Sequence, residues 1–250
     1  MPGTAYRLAR TWNSGRKLAA GLTPHGESVW PGVRNDLFVV HASIYSFFSR
    51  FIAGKRVLDA ACGTGYGSAT MAVAGAVGVV GVDLDPGSLR YARRHFSGSN
   101  LQFRLADCER LEFPPGSFDL IVSSNTLEHL HHPELFLVGA QRLLSAGGGL
   151  VVAVPPITNQ QSLAEHHGIR YHRSNLSIDA WLTLFEASGW AAEAHQHVVR
   201  EGVTLDFSSP FESKVRPEEF EFPKSDRDGL YRQLTITAIF VLRPATRASA

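Results

Sequence analysis

The stretch that decides the fold is Val57-Leu-Asp-Ala-Ala-Cys-Gly-Thr-Gly-Tyr-Gly-Ser68. Its apolar beginning predicts a short buried strand, and the glycines at 63, 65 and 67 that follow allow the backbone to turn sharply. Glycine also lets a backbone approach a ligand closely, because it has no Cβ. The stretch therefore predicts a strand, a ligand-binding loop and a helix in succession.

Two residues distinguish this loop from the dinucleotide-binding fingerprint G-x-G-x-x-G. Counted from Gly63, the third position of that fingerprint is Ser68 rather than glycine or alanine. Asp59 stands at the strand end immediately before the loop, where a carboxylate would repel a pyrophosphate. The same carboxylate suits a cofactor that carries an ammonium and a sulfonium group. The sequence therefore disfavours an NAD-dependent oxidoreductase.

Helix and strand patterns alternate around the loop. An amphipathic helix is predicted from Asn35 to Gly54, and the strands at 56–60, 77–82, 101–105, 118–122 and 150–154 alternate with helices at 67–74, 86–96 and 133–145. A helix at 178–188 then precedes two further strands, at 190–199 and 234–242. This order predicts an α/β fold with a doubly wound, Rossmann-like sheet, in which ligands bind at the carboxyl ends of the strands.

The composition narrows the class of protein. The 250 residues include 24 Lys and Arg against 23 Asp and Glu, a formal net charge of +1, which argues against nucleic acid as the main partner. No apolar run is long enough to span a bilayer, no secretory signal is visible, and two cysteines cannot build a disulfide framework. We expect a cytoplasmic protein with one domain over residues 1–250, in which residues 1–34 form a cover and residues 200–231 an insertion.

The glycine loop resembles the first motif of class I S-adenosylmethionine-dependent methyltransferases, which is similar to (V/I)LD-x-(G/A)-x-G-x-G. The resemblance covers residues 56–155 closely and the last two strands loosely. It implies a seven-stranded sheet, mostly parallel with an antiparallel final strand, and S-adenosyl-L-methionine as cofactor. It also implies that the methionine part of the cofactor lies along Asp59, Ala61, Cys62, Gly63 and Gly65. Ala61 replaces the commoner glycine, and we expect this change to have no effect.

The end of the second strand extends the resemblance to the ribose and adenine. Asp83 stands where a carboxylate accepts hydrogen bonds from both ribose hydroxyls, and Leu84 is expected to pack on the adenine face. Asp85 precedes Pro86 and is interpreted as the N-cap of the next helix.

The ends of the third and fourth strands complete the expected cofactor site. The resemblance places Ala106 and Asp107 at the adenine nitrogens, and Ser124 and Asn125 beside the cofactor sulfur. Relatives that methylate exocyclic or amide nitrogen often carry (D/N)-P-P-(Y/F) at this place. Because Ser124-Asn125-Thr126 stands there instead, the sequence resembles the branch that acts on small molecules.

Histidines follow the fourth strand, where the methyl group would be transferred. His129 matches a family pattern similar to L-E-H and is the first candidate for a general base, with His132 second and His131 as a neighbour. The alternative is that His129 buttresses the next helix while the other two face solvent.

A second cluster, Glu165-His-His-Gly-Ile-Arg-Tyr-His172, follows the fifth strand. Its residues His166, His167, Arg170 and Tyr171 are candidates for contacts with a polar substrate, with a solvated loop as the alternative. Some relatives bind a divalent metal through a pattern similar to E-x-x-E-H and a later histidine. Glu128 and His129 match that pattern, but Asn125 replaces its first carboxylate. No metal ligand is therefore assigned.

Methylation of a small, polar, uncharged molecule at oxygen is the leading hypothesis, with a possible homodimer. The alternatives are N-methylation, metal-assisted O-methylation through Glu128 and His129, RNA methylation, and a catalytically silent cofactor-binding subunit. No nucleic-acid or membrane partner is expected. The balanced charge disfavours RNA methylation, and the intact cofactor motif disfavours the silent subunit.

Overall fold

The computed structural model describes residues 16–22, 29–207, 209, 211–231 and 235–245. A helical turn at 16–19 comes first. The helices that follow are α1 (Asp36–Phe48), α2 (Tyr66–Val73), α3 (Pro86–His95), α4 (Pro133–Leu143), α5 (Gln160–His167), α6 (Ile178–Ala187) and α7 (Arg227–Leu230).

One sheet organises these helices. Its strands are β1 (Arg56–Ala60), β2 (Gly78–Asp83), β3 (Leu101–Leu105), β4 (Phe118–Ser124), β5 (Leu144–Val154), β6 (Trp190–Val199), β7 (Phe220–Glu221), β8 (Lys224–Ser225) and β9 (Thr237–Pro244). The strand order is β3-β2-β1-β4-β5-β9-β6-β7, and β8 pairs with β6. The strands from β3 to β5 are parallel, whereas β9 is antiparallel to both of its neighbours, β5 and β6.

This order confirms the doubly wound α/β fold and its antiparallel final strand. The sheet has nine strands rather than seven, because the two-residue strands β7 and β8 add to the edge at β6. Both belong to the segment expected as an insertion, so hydrogen bonds to β6 hold part of that segment. The order reverses between β1 and β4, which places a ligand-binding crevice at their carboxyl ends.

The helix caps follow the sequence signals. Asn35 caps α1 by accepting a hydrogen bond from the amide of Phe38, and Asp85 caps α3 by accepting from the amides of Gly87 and Ser88. The expected end of α4 at Ser145 was wrong, because the helix ends at Leu143 and β5 begins at Leu144. A bulge between Phe118 and Leu120 lets β5 extend through its glycines.

Helix α5 was not predicted. Asn159 caps it by accepting from the amide of Ser162, and the amide of Asn159 donates to the hydroxyl of Ser162, a reciprocal pair in which serine stands where the capping-box signature has Glu or Gln. No residue of α5 is fully buried, which explains the missing apolar period.

The core lies on both faces of the sheet. Trp181 and Phe185 of α6 pack with Trp190 on one face, and Ile44 and Phe48 of α1 pack on the other. None of the helices in the described part of the chain is long and apolar enough to cross a membrane.

Candidate functional site

A cavity of about 610 Å³ lies at the carboxyl ends of β1, β2 and β4. Its volume is in the range of small-ligand sites, roughly 300–1,000 Å³. Helix α1 contributes His41 and Tyr45 to one wall, and the segment after α5 contributes Tyr171 and Arg173. The glycine loop contributes Ala61, Cys62 and Gly63.

The glycine loop is held in place by the strand beside it. The amide of Cys62 donates to the carbonyl of Val82 at 2.8 Å. Ala61 has a φ of 62°, a left-handed conformation that disfavours any residue with a Cβ. Alanine at position 61 therefore carries backbone strain that glycine would not, so the expectation that the change has no effect is wrong in this respect. Gly65 lies outside the cavity lining, at a φ of 81°, and a Cβ on it would overlap the ring of Phe103.

Asp83 lines the cavity and joins β2 to the glycine loop. Its Oδ2 accepts from the amide of Gly63 at 2.7 Å, and its Oδ1 accepts from the amide of Asp85 at 2.8 Å. Burial raises the pKa of this carboxyl, although the amides of Asp85 and Gly63 oppose the shift. Each oxygen keeps a further lone pair, so the carboxylate can still accept two hydroxyl groups. Leu84 lines the cavity beside it and is 63% exposed.

Asp59 lies beneath the cavity rather than in its lining. Its side chain is fully buried, with Oδ2 accepting from the hydroxyl of Ser68 at 2.5 Å and Oδ1 from the hydroxyl of Tyr45 at 3.1 Å. Burial raises the pKa of Asp59 to about 7, despite these hydrogen bonds and with a smaller contribution from Asp83 in the same direction. The Asp59 carboxylate would therefore act on a bound cation by long-range electrostatics and not by direct contact.

The end of β3 meets the cavity through a residue other than those expected. Cys108 lines it, whereas Ala106 and Asp107 do not. Asp107 is exposed and accepts from the amide of Glu109, which caps the short turn Cys108–Arg110. Burial raises the pKa of the Cys108 thiol, which is consistent with a packing role.

The end of β4 presents polar groups to the cavity. The hydroxyl of Ser124 is buried and has no hydrogen-bond partner among the described residues. Asn125 has a φ of 47°, and its Nδ2 lies 3.5 Å from Nδ1 of His41 on helix α1. Both residues line the cavity where the resemblance places the cofactor sulfur, and Asn125 reaches helix α1.

His129 lies in the turn Leu127–His129 and lines the cavity. Its Nδ1 lies 3.2 Å from the carbonyl oxygen of Tyr171. Because a carbonyl only accepts, neutral His129 carries its proton on Nδ1 and keeps the lone pair on Nε2. Nε2 lies 3.9 Å from Oε1 of Glu128, whose carboxyl is buried.

His132 lies outside this cavity. It is exposed at the beginning of α4, and its Nδ1 pairs with Oε1 of Glu134 at 3.1 Å. The cavity instead takes His131 into its lining. The placement of His132 gives no support to a catalytic role.

Of the substrate candidates after β5, the cavity lining includes Tyr171 but not His166, His167 or Arg170. The guanidinium of Arg170 lies 5.5 Å from the Tyr171 ring centroid, and His167 is exposed. His166 Nδ1 lies 3.1 Å from Nδ1 of His172.

His172 connects this cluster to His129. The edge of its ring meets the His129 ring at a centroid distance of 4.9 Å. Burial lowers the pKa of His172 to about 4, with smaller contributions from His129 and His166. Glu128, His129 and His172 each offer a ligand atom, and these three atoms lie within 4.8 Å of one another.

Sequence reasoning missed several lining residues, of which His41 is the most informative. It lies within the predicted amphipathic helix, at helical spacing with apolar residues, and it faces the cavity four residues before Tyr45. Burial lowers the pKa of His41 to about 4, with a smaller contribution from His129. A histidine within an otherwise apolar stripe was the available signal.

Comparisons with known proteins agree with this site. Residues 57–148 match a family described as a methyltransferase domain. A demethylmenaquinone methyltransferase of Clavibacter sepedonicus is 30% identical over 179 residues, which are 62% of this chain and 73% of the relative. A ubiquinone biosynthesis O-methyltransferase of Dechloromonas aromatica is 40% identical over 100 residues, covering 39% of this chain and 43% of the relative.

The fold is shared with a solved structure from Thermotoga maritima, described as an S-adenosylmethionine-dependent methyltransferase and possible histamine N-methyltransferase. The TM-score is 0.63 at 14% identity, over 95% of this chain and 96% of the other. The family match, the glycine loop and the sheet order identify the cofactor as S-adenosylmethionine. The chain belongs to the class I S-adenosylmethionine-dependent methyltransferases.

Proposed function

We propose that this methyltransferase acts on a hydroxyl oxygen of a small polar molecule, with His129 as general base. The observation that carries the proposal is the position of His129 in the cavity lining, with its ring oriented by the hydrogen bond between Nδ1 and the carbonyl of Tyr171. A general base needs such a place beside the reacting group and a ring whose orientation is fixed by a further hydrogen bond.

The cofactor, when bound, supplies a methyl group on a sulfonium centre. The residues around the cavity fit this cofactor, because Asp83 retains lone pairs for two hydroxyls. The buried hydroxyl of Ser124 also has no hydrogen-bond partner among the described residues. The sulfonium of a bound cofactor would give up its methyl group to the acceptor oxygen and leave as a neutral thioether, while His129 Nε2 would take up the proton that the acceptor hydroxyl loses. Positioning can contribute up to roughly 7–11 kcal/mol, and a base adds about 10²–10⁴-fold.

The test is transfer of labelled methyl groups to a panel of phenols, catechols and sugars, followed by variants on the best acceptor. We expect His129→Gln to reduce kcat by about 10²-fold or more, while S-adenosylhomocysteine binds unchanged. His132→Gln is the matched control and should retain full activity, because this imidazole is exposed and outside the cavity lining. Equal kcat values for the wild type and His129→Gln would refute the role of His129 as general base.

Metal-assisted O-methylation is a second candidate function, supported by the cluster of Glu128, His129 and His172 within 4.8 Å. A bound divalent ion would acidify the acceptor hydroxyl directly, and His129 would then be a ligand rather than a base. Equilibrium dialysis against Mg²⁺, Mn²⁺ and Zn²⁺ tests it. Stoichiometric binding that Glu128→Gln abolishes supports this candidate, and no binding of any of the three ions refutes it.

We also propose that the segments 1–34 and 200–231 shape the entrance for the acceptor. Val29 lines the cavity, whereas residues 1–15 and 23–28 lie outside the described part of the chain. The amide of Asp206 donates to Oδ2 of Asp36 at 2.6 Å, so the second segment is joined to the start of the helix that carries His41.

A further inference from the structure

Charge is divided along the cavity. Among the described residues that line it, Asp83 and Asp85 are the acidic ones, and both stand after β2, where the ribose is expected. The part of the lining beside the candidate base is formed by Arg173, His129 and His41, which are linked through the backbone of Glu128 and Tyr171 and the side chain of Asn125. The acceptor end of the lining therefore carries a guanidinium and no carboxylate.

The segment that carries Arg173 is fastened to the turn that carries His129. The amides of Arg173 and Ser174 both donate to the carbonyl of Glu128, at 2.7 and 2.9 Å. The hydroxyl of Ser174 donates to the carbonyl of Leu130 at 2.8 Å, and the His129 ring bonds to the carbonyl of Tyr171. The backbone of Arg173 is thus held at a defined place beside the candidate base.

The guanidinium itself is available to a ligand. No described carboxylate lies within ion-pair distance of Arg173, whereas other arginines of the chain, such as Arg56 and Arg227, are paired with aspartates. A guanidinium presents a planar fork of donors that matches the two oxygens of a carboxylate or phosphate. An anion is the partner that this geometry recognises.

We propose that Arg173, beside Tyr171, is a specificity-determining residue that binds an anionic group of the methyl acceptor, a carboxylate or a phosphate. The proposal rests on the proposed function, because it takes this end of the cavity as the acceptor side. Under this proposal the methyl acceptor is not uncharged, as the sequence predicted. Its anionic group binds Arg173 while its hydroxyl group lies at His129. The competing assignment is that Arg173 holds the carboxylate of the cofactor.

The experiment titrates benzoate, benzamide and inorganic phosphate into the protein saturated with S-adenosylhomocysteine, by calorimetry or NMR. We expect benzoate or phosphate to bind at least tenfold more tightly than benzamide. Arg173→Gln should weaken that binding at least tenfold, and Arg173→Lys should weaken it less. Arg170→Gln is the matched control, because Arg170 is a nearby arginine outside the cavity lining. Preference for benzoate or for phosphate decides which anion the site takes.

Two results would overturn the proposal. In one, neither anion binds more tightly than benzamide. In the other, Arg173→Gln weakens S-adenosylhomocysteine itself, which would assign the guanidinium to the cofactor. The binding measurement requires no methyl transfer. If the anions bind as expected and no hydroxyl acceptor becomes methylated, the proposed function fails and the anion site stands.

Discussion

The hydroxyl of Tyr45 lies 3.1 Å from Oδ1 of Asp59, so helix α1 reaches across to the carboxylate of the cofactor motif. The approach depends on Gly67, since a Cβ at that position would overlap the Tyr45 ring. The motif aspartate is thereby a buried, doubly hydrogen-bonded group, and helix α1 is joined to the strand that carries the glycine-loop motif.

We expect Tyr45→Phe to destabilise the protein by about 1–3 kcal/mol, because it removes a donor from a buried carboxylate. Urea unfolding at pH 8 measures this difference. Tyr66→Phe is the control, since its ring packs on Tyr45 but its hydroxyl bonds to no other described residue. Equal losses in the two variants would contradict a specific role for the hydrogen bond.

The raised pKa of Asp59, about 7, predicts proton release when the cofactor binds. Near pH 6.5 this carboxyl is largely protonated, and a nearby cationic cofactor favours the charged form and so lowers its pKa. Calorimetry at pH 6.5 in buffers of different ionisation enthalpy should detect released protons. Asp59→Asn should abolish the buffer dependence, and its persistence in that variant would exclude Asp59 as the source.

Buried histidines predict a loss of stability in acid. Burial lowers the pKa of His41 to about 4 and that of His197 to about 3, below the unfolded value of 6.5. The unfolded chain therefore takes up protons first, and stability falls from about pH 6.5 towards pH 3, by at most roughly 1.4 kcal/mol per pH unit for each group. Asp59 acts oppositely, since its raised pKa removes stability as pH rises from about 4 through 7.

His197 provides the test of this acid effect. The Ser43 hydroxyl donates to the carbonyl of Val40, so His197 Nε2 donates to Ser43, and its buried Nδ1 has no partner among the described residues. Protonation would place an unsatisfied N–H there. His197→Phe should flatten the fall in Tm between pH 6.5 and 4. An unchanged profile would show that His197 does not contribute.

We expect Ala61→Gly to stabilise the protein by up to about 1.6 kcal/mol. Relief of left-handed strain contributes roughly 1–2 kcal/mol, and the added freedom of the unfolded chain offsets about 0.4–1 kcal/mol of it. Ala60→Gly is the matched control, because Ala60 lies in extended strand β1 and should lose stability. Thermal unfolding of both variants measures the sign of the stability change. A loss of stability in both variants would contradict backbone strain at Ala61.

Asp83→Asn should weaken S-adenosylhomocysteine binding by about 10–100-fold, since an amide offers one acceptor oxygen and loses the charge-assisted hydrogen bonds, worth roughly 1.5–3 kcal/mol. Asp228→Asn should bind normally, because this carboxylate is exposed on α7 and lies outside the cavity lining. Calorimetry measures both affinities. Normal binding by Asp83→Asn would refute the assignment of Asp83 to the ribose hydroxyls.

Several site residues were readable from local sequence because they follow strands. The cavity lining includes seven residues that end or directly follow β1, β2 and β4, namely Ala61, Cys62, Gly63, Asp83, Leu84, Ser124 and Asn125. It also includes His129 and Tyr171, which lie further along the chain. Position after a parallel strand is enough to place a residue at that edge of the sheet. Ala106 and Asp107 also follow a strand but do not line the cavity, because the chain turns after β3 and presents Cys108 instead.

The sequence by itself determined the α/β order, the glycine loop and the carboxylate after β2, because strand periodicity, glycine freedom and helix caps are local properties of the chain. Only the tertiary structure decided which side chains face the cavity. His41, Tyr45 and Arg173 reach it from elements distant in sequence, and the lone pair of His129 is set by a carbonyl more than forty residues away. Such contacts depend on how helices and loops pack around the sheet, which no local pattern encodes.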